Sequence, residues 1–268
     1  MKISEIAPGE KRTVQTSKFD KIWNKLIVPN CSEILKIYTS SNKLLYRGMK
    51  CAGPIFRGSS RQDRKPRDSY LFLNDLFDVG LKRLGMTALR SNSTFVISNE
   101  NIALNFGDFV YIIFPLDGFE YTWTKHTDIS LGNRQTFKNH WLNANISEII
   151  NQAWQNEPHY LNSYESENWL LDNDLIDPTQ SLEENMHNIN NLLAKHNISA
   201  IRPIDLIHIE SFKDFFEPRN TGLLDMLKNS SKSNPKETLI KGSYYAFDTG
   251  FFNNKIIRKL QQYGNSIT

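Results

Sequence analysis

The strand-like segments of this sequence are far apart along the chain, and this separation constrains the fold more than any other feature. The segments STFVIS, FVYIIF and FEYTW follow one another within residues 93–123, and β-like sequence returns only at 238–247. A strand is also predicted over Leu44 to Met49. The chain between about 135 and 220 is rich in Asn and has helical periodicity. A sheet built from these strands therefore requires a long helical insertion to loop out.

Helical periodicity predicts the first helices of the chain. Phe19 to Leu26 has apolar residues at helical spacing and predicts an amphipathic helix that stops before Pro29. Leu73 to Leu84 predicts another amphipathic helix, closed by Gly85 as its C-cap. Both apolar stripes are typical of helices that pack on a core.

Turn and capping residues predict how the later elements connect. Leu116-Asp117-Gly118 has the Asp-Gly chemistry of a tight turn and predicts a hairpin between FVYIIF and FEYTW. The segment TLIKGSYYAF predicts a strand, and IIRKLQQYG after it predicts a short closing helix. Ser181 and Glu184 have capping-box spacing and predict a helix start within the insertion.

Composition and charge exclude several classes of protein. The net charge of +3 over 268 residues is far weaker than that of a dedicated nucleic-acid-binding domain. Cys31 and Cys51 are too few for a disulfide framework or a cysteine-rich zinc site. Residues 1–16 lack the apolar core of a signal peptide, and no later stretch has the length of a membrane helix. We therefore expect a cytoplasmic protein that does not bind a membrane.

Metal sites and the common nucleotide-binding loops leave no signature in the sequence. The six histidines are scattered without metal-ligand spacing. Neither a P-loop nor a GxGxxG fingerprint occurs. We therefore expect no metal cofactor, and any nucleotide must be bound by another kind of site.

Polar residues interrupt or precede three of the predicted strands. Arg47 lies in the apolar segment LLYRG, Ser91 and Ser93 form a Ser-x-Ser element before TFVIS, and Glu237 immediately precedes TLIKGSYYAF. The order of YRG, SNS and this lone glutamate resembles the arginine-serine-glutamate type of the ADP-ribosyltransferase superfamily. The resemblance covers the strand-forming segments and leaves the helical insertion as a departure from compact members.

The resemblance implies the fold. It is α+β, an ADP-ribosyltransferase-like split β-sandwich of two packed, mostly antiparallel sheets that hold NAD in a cleft, with helices on the outside. A single catalytic domain over residues 1–268 carries the helical insertion, placed at 136–220. The distance along the chain from Ser91 to Glu237 requires that insertion to leave the sheet.

The resemblance also implies the reaction, which is transfer of ADP-ribose from the co-substrate NAD with release of nicotinamide. Arg47 has a fork of donors suited to phosphate oxygens, and Ser91 and Ser93 belong to the NAD-binding element. Glu237 stabilises the positive charge that builds on the ribose as the glycosidic bond breaks, and Ser91 orients that carboxylate. Gly48 lacks a side chain, which lets its backbone approach the nicotinamide carboxamide.

A second acidic motif competes with Glu237. Glu165-Ser166-Glu167 has the two-acid spacing of the arginine-modifying members and precedes an apolar run. A solvated helix start is the other interpretation, since Glu is favoured in a first helical turn. We favour Glu237 over Glu167 because TLIKGSYYAF is the better strand. Pro235 stands where arginine-modifying members carry Glu or Gln, which disfavours arginine as the acceptor.

The acceptor and the biological context rest on a narrower similarity and on charge. FRGSSRQDRKPRDS, GDFVYIIFPLDGFEYTW and ETLIKGSYYAF are similar to segments of transferase-like proteins encoded by phages and large viruses, which implies a phage effector, a defence protein or a toxin with an antitoxin partner. The segment from Arg57 to Arg67 is either a solvated basic loop or a contact for NAD phosphates, RNA or DNA. We favour a nucleic-acid base as the acceptor. Protein modification and a catalytically silent nucleotide- or partner-binding protein are the alternatives.

Overall fold

The protein consists of two compact units in its computed structural model, which describes residues 16–50, 53–62, 71–124, 142–156, 177, 179–216 and 222–267. The sheet unit comprises residues 1–62, 92–128 and 217–268. The helical unit comprises residues 63–91 and 129–216. All of the described strands belong to the sheet unit.

The strands form one antiparallel sheet. They are β1 Tyr46–Met49, β2 Ile55–Ser59, β3 Thr94–Ile97, β4 Phe109–Pro115, β5 Glu120–Trp123, β6 Glu237–Lys241 and β7 Ser243–Asp248. Their order across the sheet is β2-β7-β4-β1-β3-β6-β5. Every pairing is antiparallel. The two predicted β-rich regions of the chain therefore interleave in one sheet.

The sheet is narrowly joined at its middle. β1 pairs with β4 over four residues, whereas the described pairing of β1 with β3 is the single position Tyr46↔Ile97. A four-stranded part, β2-β7-β4-β1, is thus linked to a three-stranded part, β3-β6-β5, by one residue pair. A sheet joined in this way can diverge on one side of the pair without losing further ladder hydrogen bonds.

Helices account for most of the remaining described residues. They are α1 Thr16–Ile22, α2 Val28–Asn30, α3 Ser32–Ser41, α4 Leu71–Arg83, α5 Glu100–Ala103, α6 Ala144–Gln155, α7 Leu182–Lys195, α8 Ile209–Phe215, α9 Leu223–Asn229 and α10 Thr249–Ile267. A π-helical segment, Trp23–Ile27, joins α1 to α2. The prediction that the first helix stops before Pro29 is wrong, because the helical run continues through α2 and ends at Asn30.

An aromatic core fixes the helices of the sheet unit on the strands. Phe19 stacks on Phe252 at 5.3 Å between ring centroids and meets Phe247 edge-on at 6.0 Å. Phe114 takes edge contacts from Trp23 at 5.7 Å and from Phe247 at 5.5 Å. These rings are almost fully buried. Together they pack α1 and α10 against one face of β4 and β7.

The predicted hairpin between β4 and β5 is wrong. β4 pairs with β7 and β1, whereas β5 pairs only with β6 at the far edge. The turn is used differently: the Asp117 carboxylate accepts hydrogen bonds from the Ser32 hydroxyl and from the Glu33 N–H, both at 2.8 Å. Asp117 therefore caps the start of α3, while the chain crosses from one part of the sheet to the other.

The segment TLIKGSYYAF forms two strands where one is predicted. Gly242 separates β6 from β7 and has φ +134°, a conformation that side chains disfavour. Ser60 fixes this corner, because its hydroxyl accepts from the Gly242 N–H at 3.0 Å and its own N–H donates to the Gly242 carbonyl at 2.9 Å. The corner lets consecutive strands enter different parts of the sheet.

The helical unit has its own aromatic core. The rings of Phe77, Phe212 and Phe216 lie 4.9–5.1 Å apart, which packs α4 against α8. The predicted capping box of Ser181 and Glu184 at the start of α7 is confirmed. Gly85 ends α4 with φ +74°, as expected of a C-cap glycine.

The fold class is α+β, as predicted. One hydrogen-bonded sheet is present where two packed sheets are predicted, because the Tyr46–Ile97 pair links its two parts. The predicted insertion at 136–220 covers α6, α7 and α8, and the same compact unit also takes in residues 63–91 with α4. None of the described helices is long and apolar enough to cross a membrane.

Candidate active site

The backbone of β1 presents the polar groups of Gly48 away from β4. The Ile113 N–H donates to the Leu45 carbonyl at 3.0 Å, which makes these two residues a hydrogen-bonded pair. Bonded and non-bonded pairs alternate along an antiparallel ladder, so Gly48 and Val110, three positions further, form a non-bonded pair. The N–H and C=O of Gly48 therefore point toward the β3 side of the strand.

On that side the described ladder between β1 and β3 does not continue, and this gap in the strand pairing is called the opening. In the described chain β3 joins β1 only at Tyr46↔Ile97, so Gly48 is already past the shared position. Phe95 on β3, two residues before Ile97, borders the same opening. Backbone groups at such an edge are strong hydrogen-bonding partners for a ligand.

The face of Gly48 on which a Cβ would project is filled by protein. An ideal Cβ there would lie 1.9 Å from the Ala103 carbonyl oxygen and 2.9 Å from the Gly107 nitrogen. The segment that follows α5 packs backbone to backbone on β1, and only glycine allows this approach. Gly48 therefore lacks a side chain because the backbone of another segment packs on that face of the sheet. Its N–H and C=O point in a different direction, toward the opening.

Arg47 lies in a row of residues that crosses three strands. It pairs with Tyr111 on β4, and Tyr111 pairs with Asp248 on β7, so the three side chains share one face. Its Nη1 nitrogen is shielded from solvent. Because side chains alternate, Arg47 projects from the face opposite to that of Tyr46.

Glu237 lies one strand beyond β3. It is the first residue of β6 and is half-buried. Its register partner is Ile97, whose partner on β1 is Tyr46. Two strand spacings separate Glu237 from Tyr46, which corresponds to about 10 Å between their Cα atoms. Glu237 is therefore level with the pair that joins β1 to β3, and Arg47 is one residue past that pair on β1.

Side-chain hydrogen bonds hold the turn that precedes Glu237. The Asn99 side chain caps α5 by accepting from two backbone N–H groups, and its amide donates to the Lys232 carbonyl at 3.1 Å. The Ser98 hydroxyl accepts from the Lys236 N–H at 2.8 Å, and the Ser98 N–H donates to the Lys236 carbonyl at 3.1 Å. Hydrogen bonds from Ser98 and Asn99 therefore fix the backbone that leads into Glu237.

Two neighbouring titratable groups are perturbed by burial. Burial, with a smaller contribution from the charge of Glu100, raises the pKa of Tyr46 to about 12. The Tyr46 phenol is thus a protonated donor at neutral pH. Burial lowers the pKa of Lys236, whose ammonium donates to the Asn234 side chain at 2.9 Å.

Ser91 belongs to the helical unit, whereas Arg47 and Glu237 belong to the sheet unit. The Ser91 N–H donates to the Asp78 carboxylate at 3.1 Å, and the Ser91 hydroxyl bonds the same carboxylate. The Arg90 N–H donates to the other oxygen of Asp78 at 2.8 Å. Asp78 on α4 is therefore the described partner of Ser91.

Ser93 precedes β3 and is almost fully buried. Its hydroxyl donates to the Asn92 side chain at 3.1 Å. Ser93 and Glu237 lie toward opposite ends of β3, because Glu237 is paired with Ile97, the last residue of the strand. The structure thus places Arg47 and Gly48 on the strand that borders the opening, places Glu237 on β6 with β3 between them, and gives Ser93 a local partner.

Parts of the predicted site lie outside the described residues. The competing motif with Glu167 is among them, as are Arg64, Lys65 and Arg67 of the basic segment. Arg57 on β2 and Arg61 are both exposed. The choice between Glu237 and Glu167 remains a prediction.

Asp78 and Asn99 are two residues near the candidate site that the sequence did not predict. Asn74 and Asp78 stand one helical turn apart among the buried positions of α4, and Asn74 accepts from the Arg90 guanidinium at 3.0 Å. Polar residues at apolar-stripe positions are a readable signal, because a buried polar group needs a partner. Asn99 precedes a short helix at the usual N-cap position, but its second bond, to Lys232, has no sequence signal.

The chain has no match among models of protein families, curated proteins or solved structures. Among the described side chains, no three His, Cys, Asp or Glu groups are placed to hold a metal ion. The residues around the opening between β1 and β3 are therefore the candidates for function.

Proposed function

We propose that the protein is an NAD-dependent mono-ADP-ribosyltransferase whose site is the opening between β1 and β3. One observation carries the proposal: the strands separate where Arg47, the backbone edge of Gly48 and Glu237 lie within about two strand spacings of one another. Cleavage of NAD at its nicotinamide bond requires three groups of the protein: one that binds the phosphates, one that binds the carboxamide, and a carboxylate.

Gly48 supplies the amide ligand in this proposal. Its N–H and C=O point into the opening, so they match the carbonyl and amino group of a carboxamide as acceptor and donor. This orientation supports the expectation that the Gly48 backbone holds nicotinamide. It also assigns the contact to the strand edge and not to the sheet face, which the Ala103 carbonyl fills.

Arg47 supplies the phosphate ligand. Its guanidinium is always charged and offers paired donors to pyrophosphate oxygens. Arg47 and Glu237 project from different faces of a continuous sheet, and the opening is the place where a ligand can reach both. An extended dinucleotide threaded between the strands fits that requirement.

Glu237 supplies the carboxylate. The bond between the ribose anomeric carbon and the nicotinamide nitrogen breaks, its electron pair leaves with nicotinamide, and positive charge develops on the ribose. A carboxylate beside the ribose stabilises that charge and accepts a hydrogen bond from the 2′-hydroxyl. The acceptor nucleophile then bonds to the anomeric carbon and loses its proton. The fixed backbone around Lys236 supports this role, because a preorganised carboxylate needs no reorientation in the transition state.

The split β-sandwich remains part of the proposal. The parts β2-β7-β4-β1 and β3-β6-β5 correspond to the two predicted sheets, and their single shared pair supports this correspondence. Ser91 is proposed to orient Glu237, as the resemblance implies. In that role, Ser91 either gives up its described hydrogen bonds to Asp78 or keeps them while it also contacts Glu237.

A nucleic-acid base is the proposed acceptor. The sheet unit has 21 basic and 13 acidic residues, so its net charge of +8 favours a polyanion, whereas the helical unit has a net charge of −5. Pro235 at the position of the arginine-modifying determinant is consistent with that choice. A protein acceptor is the second candidate, and an antitoxin protein is a proposed partner if the enzyme is a toxin.

Labelled NAD tests the proposal. Purified protein is incubated with NAD labelled in its adenylate part and with cell lysate, and the product is then digested separately with nuclease and protease. We expect label that nuclease removes and that Glu237→Gln abolishes. Glu210→Gln, a change at an exposed glutamate of α8, is the matched control and should label normally. Protease-sensitive label would move the acceptor to protein, and intact NAD in every reaction would contradict the proposal.

A further inference from the structure

A cavity of about 380 Å³ lies in the sheet unit where β4 begins and β7 ends. Phe109, Asp248, Gly250 and Phe251 line it. Phe109 is 43% exposed, whereas Asp248 is 7% exposed. The volume falls within the range of small-molecule sites, and two phenyl rings and one carboxylate converge on it.

The chemistry of the lining selects a kind of ligand. One oxygen of the Asp248 carboxylate accepts the Gly250 N–H at 2.8 Å, and a carboxylate has further acceptor positions on both oxygens. An anionic carboxylate repels phosphates and accepts from N–H groups. Phenyl rings favour flat ligands that stack. The lining therefore suits a flat, uncharged group with amino donors, such as adenine, cytosine or guanine.

The cavity is aligned with the proposed phosphate site. Arg47, Tyr111 and Asp248 occupy one row on β1, β4 and β7, so the Cα atoms of Arg47 and Asp248 are about 10 Å apart. Phe109, the register partner of Met49, is two residues before Tyr111 on β4 and therefore projects from the same face of the sheet. A nucleotide whose phosphate contacts the long Arg47 side chain can therefore place its base in the cavity.

We propose that this cavity is a base-binding subsite for an amino-bearing nucleobase, with Phe109 and Phe251 as stacking walls and Asp248 as the acceptor. The proposal rests on the proposed function only in assigning phosphates to Arg47. Two sources share this chemistry: the adenine of NAD and a base of single-stranded nucleic acid. The basic sheet unit suits both, because both carry phosphates.

The first experiment compares AMP with purine riboside 5′-monophosphate, which has hydrogen in place of the amino group and carries no ring N–H. Titration calorimetry on the full chain should give AMP about tenfold tighter binding than this analogue, as expected for a buried acceptor that loses its donor. Asp248→Asn keeps a side chain that can cap α10 but replaces an acceptor by an amide, and it should remove the preference. Equal binding of AMP and purine riboside 5′-monophosphate by the wild type would overturn the proposal.

The aromatic wall is tested with a matched pair of variants. Phe109→Leu should weaken AMP binding about tenfold, because it removes a stacking ring but keeps apolar bulk. Phe106→Leu changes a neighbouring ring that is 64% exposed and does not line the cavity, and it should leave AMP binding unchanged. Equal effects of the two changes, or no AMP binding by the wild type, would overturn the proposal even if Asp248→Asn does not fold.

Two further comparisons identify the source of the base. If the adenine of NAD enters the cavity, the wild type prefers NAD to its analogue with unsubstituted purine in place of adenine, and Asp248→Asn does not. If a nucleic-acid base enters, the same loss of preference appears between short oligo(dA) and the matching oligonucleotide of unsubstituted purine, with NAD unaffected. A preference for AMP without any nicotinamide release would support the base subsite and contradict the proposed function. Nicotinamide release that depends on Glu237, without a preference for AMP, would support the proposed function and contradict the base subsite.

Discussion

The sheet unit and the helical unit hold their candidate residues by different means. In the sheet unit, Arg47 and Glu237 are placed by strand register, through ladders that tie β1 to β4 and β3 to β6. In the helical unit, Ser91 is placed by one buried carboxylate, Asp78. Register depends on the backbone pattern of whole strands, whereas a side-chain anchor depends on one residue. The comparison predicts different responses to mutation in the two units.

The tight backbone contact in the sheet unit gives the largest expected loss of stability. Gly48→Ala places a Cβ 1.9 Å from the Ala103 carbonyl, so the segment after α5 must move off β1. We expect the free energy of unfolding in urea to fall by about 3 kcal/mol. Gly53→Ala is the control, because the nearest atom to its Cβ is 4.0 Å away. Equal stability of the two variants would show that this packing does not constrain β1.

The side-chain anchor in the helical unit comes next. Asp78→Ala leaves the N–H groups of Arg90 and Ser91 and the Ser91 hydroxyl without their carboxylate. The lost hydrogen bonds are partly offset, because the variant no longer buries a charged carboxylate. We therefore expect the free energy of unfolding in urea to fall by about 2 kcal/mol. Glu148→Ala, at an exposed position of α6, should have no measurable effect. A neutral Asp78→Ala variant would contradict the anchoring role.

Ser91→Ala separates an anchoring role from a catalytic one within that unit. If Ser91 serves only the Asp78 contact, stability falls by about 1 kcal/mol and the kcat for nicotinamide release is unchanged. The resemblance predicts instead that kcat falls while the KM for NAD stays the same, because Ser91 would orient Glu237 only in the reaction. Steady-state kinetics beside urea unfolding decides between the two.

The contrast between the units also explains what the sequence could and could not predict. The positions of Arg47 on a strand and of Glu237 at a strand start follow from apolar runs, which local pattern reveals. The LDG turn misled because its chemistry fits a hairpin, but Asp117 is used to cap α3, a contact 84 positions away in the chain. Likewise, nothing in the local pattern indicates that β1 and β3 share a single pair. Pairing between strands distant in sequence is a tertiary property.

Arg47 tests whether the sheet unit binds the phosphates. Arg47→Ala should weaken NAD binding about thirtyfold, the effect expected from losing a charged pair of hydrogen bonds. Calorimetry with NAD measures this, and Arg258→Ala, on the exposed side of α10, is the matched control. Equal NAD affinity of Arg47→Ala and wild type would remove Arg47 from the site.

The buried core of the sheet unit gives the smallest effect, and it depends on pH. Burial, with a smaller contribution from the charge of Asp117, raises the pKa of the Cys31 thiol from 9.0 to about 12. The unfolded thiol therefore ionises first, and stability is lost as the pH rises from 9 toward 12. Relative to Cys31→Ala, the free energy of unfolding should fall by about 1 kcal/mol between pH 8 and pH 10. Parallel profiles for the two proteins would contradict this.

The central claim is that the carboxylate at the start of β6 stabilises the transition state of NAD cleavage. The measurement is the rate of nicotinamide release from NAD by wild type and by Glu237→Gln, with NAD affinity determined on the same preparations. We predict that kcat falls by about a hundredfold or more while the Kd of NAD is unchanged, because the carboxylate acts on charge that exists only in the transition state. An unaltered kcat in Glu237→Gln would contradict the account.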